Sequence, residues 1–112
     1  MARRVSRGDV WMYEFRKPDK LRPVVVLSRE DAIAVLHTVM VAPVTSTIRA
    51  IPSEVVIGVD EGLKHPSAVN LDHVQTVEQN RLIRHLGRVR GRPLAELCHA
   101  LAIAFGCERD SM

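Results

Sequence analysis

Two stretches of this chain carry the residue types best suited to chemistry. Arg22 precedes Pro23 at the entrance of the apolar run Val24-Val25-Val26-Leu27, and Thr45-Ser46-Thr47 close the apolar run Val39-Met40-Val41-Ala42-Pro43-Val44. A guanidinium is permanently charged, and its forked donors match carboxylate or phosphate oxygens. Hydroxyls add short neutral donors. Taken alone, Arg22 reads as a charge capping a sheet edge. A cation at one strand start together with three hydroxyls at another strand end predicts a single anion-binding site.

Such a site needs rigid elements beneath it. Both runs are rich in β-branched residues and too short for stable helices, so both read as buried strands. Pro23 lacks an N–H and has a fixed φ, which suits a strand's first residue. Around these two strands, Gly8–Phe15 predicts a half-buried first strand in which Trp11, Tyr13 and Phe15 share a face. Arg16-Lys17-Pro18-Asp19-Lys20 predicts a polar loop next to Arg22. Residues 29–35 predict a short helical or irregular link, with Ser28 available as its N-cap. The segments 36–45, 53–59, 67–77 and 82–89 predict further strands, with a loop at 46–52 and turns at 60–66 and 78–81. In the fourth strand Val55, Ile57 and Val59 are expected on one face. Leu94, Leu97, Cys98, Leu101, Ala104 and Phe105 recur at three and four residues, behind Pro93 and ahead of Gly106, which predicts a helix over 93–105. Many short strands and one terminal helix imply a mainly β (α+β) fold, a small barrel or twisted antiparallel sheet.

The bulk numbers set the class. At 112 residues the chain suits one domain with a single core. The composition, 46% hydrophobic and 26% charged, is that of a folded protein and not of a disordered one. A formal charge of +3 permits a nucleic-acid partner without requiring one. No apolar run approaches the roughly 18 residues of a membrane helix, and Ser6-Arg7-Gly8-Asp9 stand where a signal peptide would need apolar residues. No membrane partner and a cytoplasmic location are expected. If Cys98 and Cys107 share a helix, about 13 Å of rise separates them, so two free thiols are expected.

Seven fragments in order now resemble one family: Arg7-Gly8-Asp9-Val10-Trp11, Arg22-Pro23-Val24-Val25-Val26-Leu27-Ser28, Val41-Ala42-Pro43-Val44-Thr45-Ser46-Thr47, Ser67-Ala68-Val69-Asn70-Leu71-Asp72, Thr76-Val77, Arg81-Leu82 and Leu86-Gly87. They are similar to the MazF/PemK (Kid) toxins of bacterial toxin–antitoxin systems, from Ser6 to Gly106. The resemblance implies an SH3-like barrel of the PemK/CcdB type with a C-terminal α-helix, and a homodimer. It implies an endoribonuclease that cuts single-stranded RNA at a short sequence without a metal or other cofactor, neutralised by an acidic MazE-like antitoxin. It makes Arg22 and Thr45 the catalytic pair, with Asp72 as a third candidate for base or base reader. Lys17, Lys20, Ser46, Thr47, Arg49, Asn70 and Gln75 are then expected to bind RNA. Some members carry arginine at the positions of Asn70 and Gln75. Amide side chains can still read the edges of unpaired bases. The loop 16–21 is shorter than in many members, so a cleavage sequence does not carry over.

The run Arg81, Arg84, Arg88, Arg90, Arg92 reads either as a solvated basic face or as a surface for RNA or an acidic antitoxin. The histidines His37, His65, His73, His85 and His99 are scattered, and only His73 falls near the expected site residues. Trp11 is read as core. Two other functions stay open at this point. A CcdB-like gyrase poison would use a tryptophan-containing C-terminal end, whereas this chain ends Cys107-Glu108-Arg109-Asp110-Ser111-Met112. A catalytically silent RNA-binding barrel is also compatible, because fold alone does not establish function.

Overall fold

The computed structural model describes residues 4–16 and 21–107. Seven strands and two α-helices are present among them: β1 (Asp9–Glu14), β2 (Leu21–Val26), α1 (Glu30–Val35), β3 (Thr38–Thr45), β4 (Glu54–Ile57), β5 (Ser67–Asn70), β6 (Gln75–Glu78), β7 (Leu82–Arg88) and α2 (Gly91–Phe105). All the pairings are antiparallel, in the order β4-β5-β3-β2-β1-β7, with β6 also on β3. β3 is the hub. One edge carries β2; the other carries β6 along its first half and β5 along its last two residues.

The near-continuous apolar runs of β2 and β3 are explained by burial on both faces. Val25, Leu27, Ala42 and Val44 enter a core capped by α2 through Leu97 and Ala100. Their alternating neighbours Val24, Val26, Val39 and Val41 enter a second core with Trp11, Ile33, Val77 and Leu82. A strand period of two sends successive side chains to opposite faces, so neither run can afford a polar residue in its middle. Trp11 is core, as expected, and its ring meets His85 edge-on at 5.3 Å.

The ends of the sheet meet through bare backbone. After β4 a single 3₁₀ turn, Val59–Glu61, ends at Gly62 with φ +96°. A Cβ on Gly62 would overlap the Leu86 carbonyl, and one on Gly87 would overlap the Glu61 carbonyl. Two glycines therefore let the turn after β4 press on β7 and bring the sheet round into a barrel-like shape.

Asp9 fastens β1 to β7. It is almost fully buried. Its carboxylate accepts from the Ser6 N–H (2.8 Å), Trp11 Nε1 (3.3 Å) and Arg88 Nε (2.9 Å), and lies 3.3 Å from His85 Nε2. Burial on its own pushes this carboxyl up. The Ser6 N–H, Arg88, Trp11 and His85 outweigh that and hold it below the ordinary value of 3.8.

Four local expectations are corrected. Ser28 does not cap α1, which starts after Arg29 without a side-chain cap; its Oγ instead accepts from the Met40 N–H at 2.8 Å and ties the end of β2 to β3. The expected strand 67–77 is broken by a 3₁₀ turn at Leu71–His73, because Asn70 Oδ1 captures the Asp72 N–H at 2.9 Å. Val59 does not join Val55 and Ile57 inside. It is 70% exposed, since the chain turns at Gly58, whose N–H donates to Glu61 Oε1 at 2.7 Å. Pro23 is the third residue of β2 and not its first. The β2–β3 ladder begins only at Val24, so the missing donor breaks no bond there.

α2 starts two residues earlier than expected, at Gly91, and ends as expected, with Gly106 left-handed at φ +81° and its N–H on Ile103 O. Cys98 and Cys107 are free and exposed. Among the described residues no helix is long and apolar enough to cross a membrane.

Candidate functional site

A cleft of about 500 Å³ opens between the start of β2 and the end of β3. Arg22 lines it from β2 and Thr45 from β3. The β2–β3 ladder ends at the pair Val24–Pro43. Two residues beyond that pair the strands have parted: Arg22 pairs with Tyr13 of β1 and Thr45 with Ala68 of β5, and both line the cleft. Ser46 and Thr47 continue its wall, and the Thr47 N–H donates to Thr45 Oγ1 at 3.2 Å. That bond fixes the Thr45 side chain and leaves its hydroxyl proton for a ligand.

The opposite wall comes from distant parts of the chain. Lys64 and His65 reach it from the turn before β5, and Arg84 from β7. Met12, Val44, Leu63 and Leu86 provide an apolar floor. Three cations, Arg22, Lys64 and Arg84, thus face one cleft, and among the described residues no carboxylate lines it. Among the described residues Arg22 has no carboxylate partner. An uncompensated cluster of this kind draws an anion, and forked guanidinium donors favour phosphate geometry.

Arg22, Thr45, Ser46 and Thr47 are therefore brought together. Arg49 is not part of the cleft: its N–H donates to Glu54 Oε1 at 3.0 Å, and its guanidinium lies 3.8 Å from Glu54 Oε2. Asp72, Asn70 and Gln75 form a separate group on the β5–β6 side. Asp72 Oδ2 accepts from Ser53 Oγ at 2.5 Å, Asn70 Nδ2 meets His73 Nδ1 at 2.9 Å, and Gln75 pairs with Val41. Val41 precedes Thr45 by four residues, roughly 13 Å along β3. His73 belongs with this second group and not with the cleft. Lys17 and Lys20 lie outside the described residues.

Lys64, His65 and Arg84 were missed from sequence. Arg84 belongs to the basic run, but nothing in that run distinguishes it. The structure divides the run: Arg81 lies over the Tyr13 ring at 6.0 Å, Arg88 serves Asp9, and Arg84 lines the cleft. Among the described residues no group of three or more His, Cys, Asp or Glu side chains converges as metal ligands would.

Residues 6–105 match the family model described as PemK-like, MazF-like toxin of type II toxin–antitoxin system. The probable endoribonuclease MazF5 of Mycobacterium tuberculosis is 44% identical over 106 residues, covering 93% of this chain and 95% of that protein. The endoribonuclease MazF3 of the same species is 42% identical over 88 residues, covering 79% and 82%. Among solved structures, the Mycobacterium tuberculosis toxin MazF-mt6 superposes with a TM-score of 0.79 at 34% identity, covering 88% of this chain and 96% of that one. A mycobacterial endoribonuclease in complex with its cognate antitoxin superposes at 0.84 with 25% identity, covering 96% and 100%. With the family model spanning nearly the whole chain and close relatives matched over almost their full length, this chain belongs to the PemK/MazF toxin family.

Proposed function

We propose that this protein is the toxin of a type II toxin–antitoxin pair, an endoribonuclease that cuts single-stranded messenger RNA at a short sequence. It works in the cytoplasm as a homodimer, without a metal or other cofactor, and a cognate acidic antitoxin of the MazE kind restrains it. The observation that carries this reading is the cleft holding Arg22, Lys64, Arg84 and the Thr45 hydroxyl, with no acid among its described lining residues, in a chain of this family. The family name, the endoribonuclease relatives and a relative solved with its antitoxin support the toxin role.

In the proposed chemistry the ribose 2′-OH attacks its own phosphate in line, giving a 2′,3′-cyclic phosphate and a 5′-hydroxyl. Negative charge builds on the phosphate oxygens in that transition state. Arg22 meets it with a fixed positive fork, and the Thr45 hydroxyl donates to the same phosphate. Both stand on strand ends, so the donors need no reorganisation as charge develops. Ser46 and Thr47, together with Lys17 and Lys20, hold neighbouring phosphates. Arg49 sits at the foot of the same hydroxyl loop and serves the backbone further out. Gln75 pairs with Val41, four residues before Thr45 on β3; with Asn70 and Asp72 it faces flanking bases, whose edges carboxylate and amide groups read.

The test is product chemistry. A long, largely unpaired RNA is incubated with purified protein, and the new 5′ ends are offered to polynucleotide kinase without prior phosphatase treatment. Direct labelling at a recurring short motif supports the mechanism. Ends that label only after phosphatase contradict it.

A further inference from the structure

The cleft that binds phosphate also needs a group that moves a proton, and we propose that His65 is that group, the general base for the 2′-hydroxyl. This inference rests on the endoribonuclease reading and names a residue that the sequence comparison does not single out. Arg22 and Arg84 do not give up their protons in proteins. Thr45 Oγ1 already accepts from the Thr47 N–H, and a hydroxyl is a weak base. His65 is the one imidazole lining the cleft, and imidazole exchanges protons near neutral pH. Other histidines are engaged elsewhere: His73 contacts Asn70, and His85 lies against Asp9 and Trp11.

The local bonds select the tautomer. Ser67 is buried, and its hydroxyl donates to the His65 carbonyl at 3.2 Å. The same oxygen lies 3.4 Å from His65 Nδ1. The Pro66 carbonyl, 3.2 Å from that nitrogen, can only accept. The Pro66 contact requires a proton on Nδ1, and the neutral ring then carries its lone pair on Nε2. Among the described residues Nε2 has no hydrogen-bond partner. Ser67 and Pro66 thus act as positioning groups that present a basic nitrogen in a cleft whose charged members, among the described residues, are Arg22, Lys64 and Arg84.

The step balances as follows. His65 Nε2 takes the 2′-OH proton as the O2′–P bond forms. The P–O5′ bond breaks, and its electron pair leaves with O5′, which takes a proton from water. The imidazolium returns its proton to the hydroxide so formed.

The experiment compares wild type, His65→Gln and His65→Ala on one unpaired RNA from pH 5 to 9, with folding of each followed by circular dichroism. His65 is exposed in a turn, so both variants fold. The expected result is a fall in kcat of about 10²–10⁴-fold with KM little changed, loss of the acid-side limb of the pH profile, and partial rescue of His65→Ala by added imidazole. A kcat for His65→Gln within about twofold of wild type, with an unchanged profile, overturns the assignment and leaves the ribonuclease reading standing. A reduced kcat that keeps the acid limb and does not respond to imidazole gives His65 a structural role and also overturns the assignment. Intact RNA with wild type overturns the ribonuclease reading and His65's role together.

Discussion

In the proposed mechanism Arg22 is the residue on which the chemistry turns. It stands on a strand and not on a loop, and among the described residues no acid neutralises it. Arg22→Ala should leave the fold intact and lower kcat by about 10²–10³-fold, the usual cost of removing one preorganised donor to a developing oxyanion. Steady-state kinetics with a circular dichroism control checks this; a folded variant that cuts at the wild-type rate would contradict it. Arg22 and Thr45-Ser46-Thr47 were legible in the sequence because each sits at the end of an unmistakable apolar run. Lys64, His65 and Arg84 were not. They come from a turn and from a strand forty residues or more away from Arg22 in the chain, and only the three-dimensional closure of the sheet brings them to the cleft. His73 was singled out over His65 for its closeness in sequence to Asn70 and Asp72, a group the structure sets apart from the cleft.

The elements explain why that closure occurs. Most strands were legible from apolar runs and turn residues, and α2 from its three-and-four spacing. The break at Leu71–His73 was hidden because Leu71 is apolar and continues the strand pattern, while the deciding interaction is one Asn70 side-chain bond. The joint between the turn after β4 and β7 depends on two glycines in direct backbone contact. Gly87→Ala should therefore force the turn away from β7, with a loss of about 1–3 kcal/mol and a melting temperature lower by on the order of 10 °C. The same shift moves Lys64 and His65 relative to Arg84, so activity should fall further than the stability loss accounts for. Asp9 makes a second prediction at this scale. Its carboxyl titrates below 3.8 in the folded state. The stabilisation it provides is thus complete above the unfolded value and is lost as pH falls through the lower folded one. Urea unfolding between pH 2 and 7 should show wild-type stability dropping below about pH 4. Asp9→Asn should be less stable at pH 7 by about 2 kcal/mol, under the roughly 3–5 of a fully buried broken pair because Arg88 keeps solvent contact. It should also lack that part of the pH dependence.

For the whole molecule, a modest charge of +3 conceals a local concentration of cations in one cleft. Each single-strand phosphate neutralised contributes about −0.7 to the slope of log affinity against log salt. Three cleft cations predict a slope of about −2 or steeper for unpaired RNA, and Arg84→Ala should make it shallower by about 0.7. A slope unchanged by Arg84→Ala would place the RNA elsewhere on the barrel. The measurement that bears most directly on the central claim is cleavage of a long unpaired RNA in excess EDTA by the wild type and by Arg22→Ala, side by side, with the 5′ ends mapped. Discrete cuts by the wild type at a recurring short motif, leaving 5′-hydroxyls and absent with the folded Arg22→Ala protein, are the predicted result. RNA left intact by a folded, antitoxin-free wild-type protein, or cut equally by both proteins, would contradict it.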